Sequence, residues 1–103
     1  MTQKYRKIMN QIAYDNTTEQ GTRTIEYIPQ GVCSRLIKIE VDASKTIVGV
    51  TYFMGSSGNT QGIGALVKGM KVEEAIKRLE GIRCGQKNTS CPDQLAQALK
   101  NFL

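Results

Sequence analysis

Apolar and polar residues alternate through the middle of the chain, and this alternation is typical of half-buried β-strands. It predicts three strands, which are Thr24–Ile28, Cys33–Val41 and Thr46–Met54. Only the short polar segment 42–45 separates the last two, so we expect them to form an antiparallel hairpin. Counting outward from that turn places Cys33 opposite about Met54, at the open end of the hairpin and beside the loop 55–58.

Beyond residue 58 the apolar residues recur at helical spacing, which predicts three helices. Asn59 or Thr60 can cap the first helix, Gly69 and Gly81 interrupt the pattern, and the last helix starts near residues 91–93. The apolar faces are, in chain order, Ile63, Leu66, Val67 and Met70, then Val72, Ala75, Ile76 and Leu79, and finally Leu95, Ala98, Leu99 and Phe102.

Residues 1–22 are predicted to be an appendage to a domain formed by residues 23–103. The appendage contains a short amphipathic helix by its apolar spacing, and the polar stretch 15–21 ends that helix. The residues with this spacing are Tyr5, Ile8, Met9 and Ile12. Such a helix can dock on the domain, mediate self-association into a homo-oligomer, or fray.

Together these elements predict a single α+β domain, with a three-stranded antiparallel sheet packed by about three helices. A chain of 103 residues is long enough for one hydrophobic core and too short for two ordinary domains. Because Trp is absent and only 6% of the residues are aromatic, the core must be mainly aliphatic.

No apolar run approaches the roughly 20 residues that a membrane-spanning helix needs, and the chain begins with polar residues rather than an apolar secretory signal. We therefore expect a cytoplasmic protein with no membrane contact, in which thiols stay reduced. An odd count of three cysteines does not describe a disulfide framework. Unpaired thiols, metal ligands and redox groups remain as alternatives.

The net charge of +5 raises the question of nucleic acid binding. The basic residues are dispersed, however, and no basic run is interleaved with aromatic residues, which favours a solvated surface over a nucleic-acid interface. The chain has no His, so a reactive site here must use thiols, carboxylates, Lys or backbone groups.

Cys91 has the strongest local reason to carry chemistry. Proline is favoured at the first helical position, so Pro92 predicts Cys91 as the N-cap, with Ser90 as the alternative cap one residue earlier. In either register the positive end of the helix dipole favours the thiolate form of this cysteine. The competing interpretation is a small buried hydrophobic residue at a helix start.

Cys84 and Cys33 are candidate partners of Cys91. Cys84 precedes Cys91 by seven residues, which is not the short Cys-x-x-Cys spacing, although a loop of that length can fold back. Cys33 adds weight because the open end of the hairpin can face the same helix terminus. Three thiolates can hold zinc with water or a carboxylate as fourth ligand, hold an iron–sulfur cluster incompletely, or pass sulfur or electrons by thiol exchange. No local feature of the sequence favours one of these over the others.

A Gly- and Ser-rich turn at residues 55–59 is a further candidate. Its backbone N–H groups, leading into a helix, resemble an anion-binding turn. It lacks the Gly-Lys-Ser/Thr of a P-loop, so an ordinary strand-to-helix turn is the favoured interpretation.

The run Thr89-Ser90-Cys91-Pro92-Asp93-Gln94-Leu95-Ala96, preceded by Arg83-Cys84-Gly85, resembles the TSCPD domain family, which takes its name from the residues at 89–93. The resemblance extends upstream through Gly31-Val32-Cys33-Ser34, Gly58-Asn59 and Gly69-Met70, and it covers residues 23–103.

TSCPD domains form the C-terminal part of adenosylcobalamin-dependent ribonucleotide reductases, and they also occur as short stand-alone proteins that are often labelled ribonucleoside-diphosphate reductase. A complete reductase needs a large barrel for its nucleotide and radical, and 103 residues leave no room for one. The resemblance therefore implies an accessory role, such as contacting a reductase subunit or handling its thiols or metal. The alternative is a metal-binding, sulfur-carrying or iron–sulfur carrier protein unrelated to the reductase.

A more distant resemblance is to the U-type iron–sulfur cluster scaffold proteins, in which three cysteines converge on a cluster or a zinc ion. Cys33 and Cys91 match the first and third of these cysteines, and the middle one falls at Ser56, where TSCPD relatives typically have cysteine too. Because a hydroxyl is a poor ligand for soft metals, the resemblance implies weaker metal binding here unless Cys84 substitutes. The metal ligands expected from this comparison are Cys33, Cys84 and Cys91.

Overall fold

The computed structural model of the chain describes residues 11–54 and 57–103. In this part of the chain one antiparallel sheet has the strand order β1-β2-β3-β4, with β1 at Ile12–Thr17, β2 at Arg23–Tyr27, β3 at Leu36–Val41 and β4 at Ile47–Phe53. The helices are α1 at Ser57–Val67, α2 at Val72–Leu79 and α3 at Cys91–Leu99, and a 3₁₀ turn at Lys100–Phe102 follows α3. The predicted α+β class is confirmed. None of the helices described is long and apolar enough to span a membrane.

The prediction of a three-stranded sheet is wrong, because β1 adds a fourth strand. The apolar spacing predicted a helix that reached Ile12, whereas the structure has a strand from Ile12 onward; residues 5–9 of that predicted helix lie outside the described residues. β1 is an edge strand paired only with β2. Within it only Ile12 is fully buried, so the strand lacks the apolar alternation by which β2–β4 were recognised.

Arg23 shows what holds this edge strand in place. Its guanidinium donates two hydrogen bonds to the carboxylate of Asp15, at 2.9 and 2.7 Å, and a third to the carbonyl oxygen of Asn101 at 2.7 Å. The same group lies 5.1 Å from the centre of the Phe102 ring, close enough for a cation–π contact. One side chain thus joins β1 and β2 to the end of the last helical segment.

The predicted hairpin of β3 and β4 is confirmed. Asp42 accepts hydrogen bonds from the backbone N–H groups of Ser44 and Thr46 and so closes the turn with its own side chain. At the other end the ladder stops earlier than predicted, at the pair Leu36 and Phe53.

Cys33 consequently lies in the loop before β3, not within the strand as predicted. The physical reason is a change of backbone direction after Phe53: Met54 has φ of 65°, which cannot continue an extended strand. The last backbone bond of the pairing runs from the N–H of Arg35 to the carbonyl of Phe53.

The core lies between one face of the sheet and the helices. Its largest fully buried side chains are Phe102, Ile25, Ile37, Ile39, Ile47, Leu95, Leu99, Val41 and Val72. The predicted apolar faces of α2 and α3 are therefore confirmed in outline. On α1 the predicted face is wrong at Leu66, which is 78% exposed, because the helix turns Thr60, Gly64 and Val67 toward the sheet instead.

Gly64 explains how closely α1 approaches the sheet. A Cβ atom at this position would lie only 2.8 Å from the carbonyl oxygen of Val50 in β4, whereas a Cβ at Gly62 would meet nothing within 4 Å. This helix therefore packs directly against β4.

We predict opposite effects for the two glycine substitutions. Gly64→Ala should lower the free energy of unfolding by about 1–3 kcal/mol, because the backbone of β4 cannot move aside. Gly62→Ala should raise it by roughly 0.5–1 kcal/mol through helix propensity. Urea unfolding of both variants measures the free energy of unfolding. If the two substitutions change it equally, α1 does not pack closely against β4 at Gly64.

Candidate functional site

Ser90 begins α3 as its N-cap. Its backbone is extended (φ −155°), and its hydroxyl accepts from the N–H of Asp93 and donates to the carbonyl of Ile82 at 2.6 Å. The prediction of Cys91 as the N-cap is therefore wrong, and the alternative, Ser90, is confirmed. The Ser90 hydroxyl is the side-chain group that accepts from the third N–H group of the helix. Cys91 is the first helical residue.

Asp93 ties this helix start to the loop that carries Cys84. Its carboxylate accepts hydrogen bonds from the backbone N–H of Gly81 at 2.7 Å, the hydroxyl of Thr89 and the side-chain amide of Gln97. Burial alone would raise the pKa of Asp93, but these donors and the charge of Lys100 outweigh it and lower the pKa below the ordinary value of 3.8. Asp93 is therefore a charged structural acceptor at neutral pH.

Gln94 ties the same helix start to the segment before Cys33. Its side-chain oxygen accepts from the N–H of Gln30 at 2.9 Å, and its side-chain nitrogen donates to the hydroxyl of Thr89 at 3.0 Å. The two segments that carry Cys33 and Cys84 are thus both anchored to the first turn of α3.

Cys91 itself lies beside two hydroxyl groups. The Ser34 Oγ atom is 3.0 Å from the Cys91 Sγ atom, with either atom able to donate, and the Tyr52 hydroxyl donates to the Cys91 carbonyl at 3.1 Å. Burial, and then the negative charge that Cys91 can carry, raise the pKa of Tyr52 far above its ordinary value of 10.0. Tyr52 therefore stays a neutral donor at physiological pH.

A cavity of about 380 Å³ opens at this helix start, and all three cysteines line it. Cys33 and Cys84 are exposed, and Cys91 is partly buried. Apolar surface comes from Val32, Ile63, Ile82 and Pro92, and the first turns of α1 contribute Asn59 and Thr60. Ser90 and two cations, Arg83 and Lys87, complete the lining as the structure describes it.

The loop between α2 and α3 is held closed by its own backbone. The N–H of Cys84 donates to the carbonyl of Thr89 at 3.1 Å, and the N–H of Lys87 donates to the carbonyl of Cys84 at 3.1 Å. Gly85 turns the chain with φ of 60°, a conformation that glycine adopts at little cost. Cys84 and both cations of the cavity therefore share one compact loop.

The metal site predicted at Cys33, Cys84 and Cys91 stays a prediction. The three side chains line one cavity, yet within residues 11–54 and 57–103 no three His, Cys, Asp or Glu side chains are grouped closely enough to hold a metal ion. The three thiols in this arrangement do not fit a metal centre without rearrangement. Ser56 lies outside the described residues, as does Gly55 of the candidate anion-binding turn, and the rest of that turn, residues 57–59, forms the start of α1.

Four residues of the site escaped prediction, namely Ser34, Tyr52, Arg83 and Lys87. Ser34 and Cys91 are 57 residues apart in the chain, and Tyr52 and Cys91 are 39 apart. No local pattern marks such pairs. The resemblance had included Ser34 and Arg83 in its matching segments without giving either a role.

Comparison with known proteins identifies one family. The family model described as the TSCPD domain matches residues 3–103. Comparison with curated proteins and with solved structures gives no significant match.

The carboxylate of Asp93 should make stability depend on pH. Asp93→Asn should lower the free energy of unfolding at pH 7 by about 2 kcal/mol, because a charged acceptor of several hydrogen bonds is lost. Since the folded-state pKa is lowered, this contribution is present above the ordinary value of 3.8 and is lost as the pH falls through the folded pKa.

Urea unfolding between pH 7 and about pH 3 should therefore show the two proteins converging at acid pH. Exposed Glu73, which lies in the first turn of α2, provides the control substitution Glu73→Gln. A constant difference between wild type and Asp93→Asn across this range would contradict the role assigned to the charge.

Proposed function

The chain belongs to the TSCPD domain family over residues 3–103, and from this premise we propose that it is an accessory thiol-handling module linked to ribonucleotide reduction. The observation that carries the proposal is the cavity at the start of α3, which Cys33, Cys84 and Cys91 line together. These residues come from three segments that are separate in the chain. A cavity that exposes several thiols suits disulfide exchange, since exchange requires access to the sulfur.

The link to ribonucleotide reduction rests on the family resemblance. TSCPD domains form the C-terminal part of adenosylcobalamin-dependent reductases, and the 103 residues of this chain are too few for the barrel that the complete reaction needs. The role proposed for this domain is therefore that of an accessory that contacts a reductase subunit or exchanges thiols with it.

Thiol exchange is preferred to metal binding because of the site's geometry. Zinc or an iron–sulfur cluster needs its ligands around one point, and no such group exists among the described side chains. Exchange needs only that two sulfurs meet during the reaction, and loops can bring them together. The Ser34 hydroxyl at 3.0 Å from the Cys91 sulfur is placed to stabilise a thiolate by a charge-assisted hydrogen bond.

We predict that mild oxidation of the full chain forms one intramolecular disulfide between two of the three cysteines. Titration with oxidised dithiothreitol, followed by intact mass and peptide mapping, detects the loss of two hydrogen atoms and identifies the pair. Of the variants Cys33→Ser, Cys84→Ser and Cys91→Ser, two should lose this disulfide and the third should keep it.

The same titration in 8 M urea is the control, because unfolding removes the cavity. In the unfolded chain, which cysteines form a disulfide depends only on how often each pair meets by random motion of the chain. If the folded chain forms its disulfide no faster than the unfolded chain, and with no greater preference for one pair of cysteines, the thiol-handling role is refuted. Elemental analysis after anaerobic purification tests the metal alternative; less than about a tenth of an equivalent of zinc or iron argues against tight metal binding.

The reductase link predicts a physical partner. Tagged full-length chain isolated from its native cell should retain a ribonucleotide reductase subunit, identified by mass spectrometry. The chain with all three cysteines replaced by serine is the matched control for contacts that depend on the thiols. Absence of every reductase subunit from the wild-type preparation would count against the link and would leave the thiol chemistry standing.

A further inference from the structure

The cavity beside the cysteines carries two positively charged side chains, and no described carboxylate is ion-paired with either of them. Arg83 and Lys87 line it, and none of its described lining residues is acidic. In the described part of the chain the ion pairs all lie elsewhere, joining Asp15 to Arg23, Glu74 to Arg78 and Glu80 to Lys100. The two cations are therefore available to an anionic ligand.

The rest of the lining indicates what such a ligand is attached to. Apolar side chains from three different segments, Val32, Ile63 and Ile82, face the cavity together with the cysteines. The volume of about 380 Å³ is at the small end of the usual range for small-molecule sites, roughly 300–1,000 Å³. A small molecule with an apolar or sulfur-containing body and an anionic group matches this surface.

A second depression on the surface continues from the first. It shares Val32, Cys33 and Lys87 with the cavity and extends to Asn88 and Thr89. Cys33 and Lys87 therefore lie where two hollows meet. A disulfide ligand has one half on each side of its S–S bond, so two adjoining hollows around a cysteine suit its shape.

We propose that the substrate of this cavity is a small disulfide with a carboxylate or other anionic group, and that Arg83 and Lys87 bind the anionic group. The inference rests on the proposed thiol-handling function and adds its substrate class. Arg83 and Lys87 act here by holding the ligand, so that its S–S bond faces a cavity cysteine.

The reaction balances without any further reagent. The thiolate of one cavity cysteine attacks a ligand sulfur, the ligand S–S bond breaks, and the departing small thiolate takes a proton from water. A second cavity thiolate then attacks the protein sulfur of this mixed disulfide, which forms the protein disulfide and releases the other half as a thiolate that is also protonated by water. The two protons taken up equal the two that the protein thiols gave to solvent when they became thiolates. Two protein thiols are oxidised, and one small disulfide is reduced to two small thiols.

Two aromatic disulfides of similar size test the charge recognition: dithiobis(nitrobenzoate), which is anionic, and dithiodipyridine, which is neutral. Initial exchange rates are measured for wild type and for the double variant Arg83→Gln/Lys87→Gln. Intrinsic reactivity cancels when each rate is divided by the wild-type rate with the same reagent. The charge-matched control is Lys68→Gln/Lys77→Gln, which removes two exposed cations from outside the cavity lining.

We expect the cavity variant to slow exchange with the anionic disulfide about fivefold, as two exposed charge contacts permit. Exchange with the neutral disulfide should stay within about twofold of wild type, as should both reactions of the control variant. Raising the salt to about 1 M should remove most of the fivefold effect, because the Debye length falls to about 3 Å. Thermal unfolding of both double variants checks that the substitutions leave the fold intact.

Two outcomes would overturn the inference, and they have different meanings. If the cavity variant and the control variant slow the anionic reagent equally, general charge attraction explains the effect and no anion site exists, while the thiol-handling function stands. If the folded chain reacts with neither disulfide faster than the urea-unfolded chain does, the thiol-handling function fails and the inference fails with it.

Discussion

The first turn of α3 has backbone N–H groups that no helical carbonyl can satisfy, and the capping of this turn organises the whole site. Ser90 bonds one of these groups and also reaches the carbonyl of Ile82. Asp93 extends the arrangement to the N–H of Gly81. Because buried polar groups must be paired, the loop 81–89 cannot leave the helix start without breaking these bonds. The cavity therefore depends on a helix cap.

The residues that define the family divide accordingly into two kinds. Thr89, Ser90 and Asp93 hydrogen-bond to each other and to neighbouring segments, so their role in this chain is to build the turn. Of the residues at 89–93, Ser90, Cys91 and Pro92 line the cavity, and Cys91 carries the one thiol among them. The motif thus fixes the position of one thiol of the cavity, and the other two, Cys33 and Cys84, come from outside the motif.

The sheet and α1 supply the remaining walls of the cavity. Gly64 lets α1 lie against β4 at a distance that no side chain would allow, which brings Asn59 and Thr60 to the cavity. Arg23, at the other side of the molecule, joins the edge strand to the end of the helical layer through Asp15 and Asn101. These contacts are all tertiary, and they hold the layers on which the loops of the site are mounted.

Local periodicity in the sequence was sufficient to predict the β3–β4 hairpin and the apolar faces of α2 and α3. Local signals also placed Cys91 at a helix start. Each of these features depends on residues that are close together in the chain. The edge strand β1 was not predictable in this way, since its pairing with β2 and its bond to Arg23 supply what its own pattern lacks. The sequence left the cap of α3 open between Cys91 and Ser90, and the short-range bond from the Asp93 N–H to the Ser90 hydroxyl decided it. The contact of Ser34 with Cys91, and the position of Arg83 and Lys87 beside Cys33, were decided only by tertiary structure. Each of them depends on hydrogen bonds or packing between segments far apart in the chain, and no local spacing encodes which distant groups will meet.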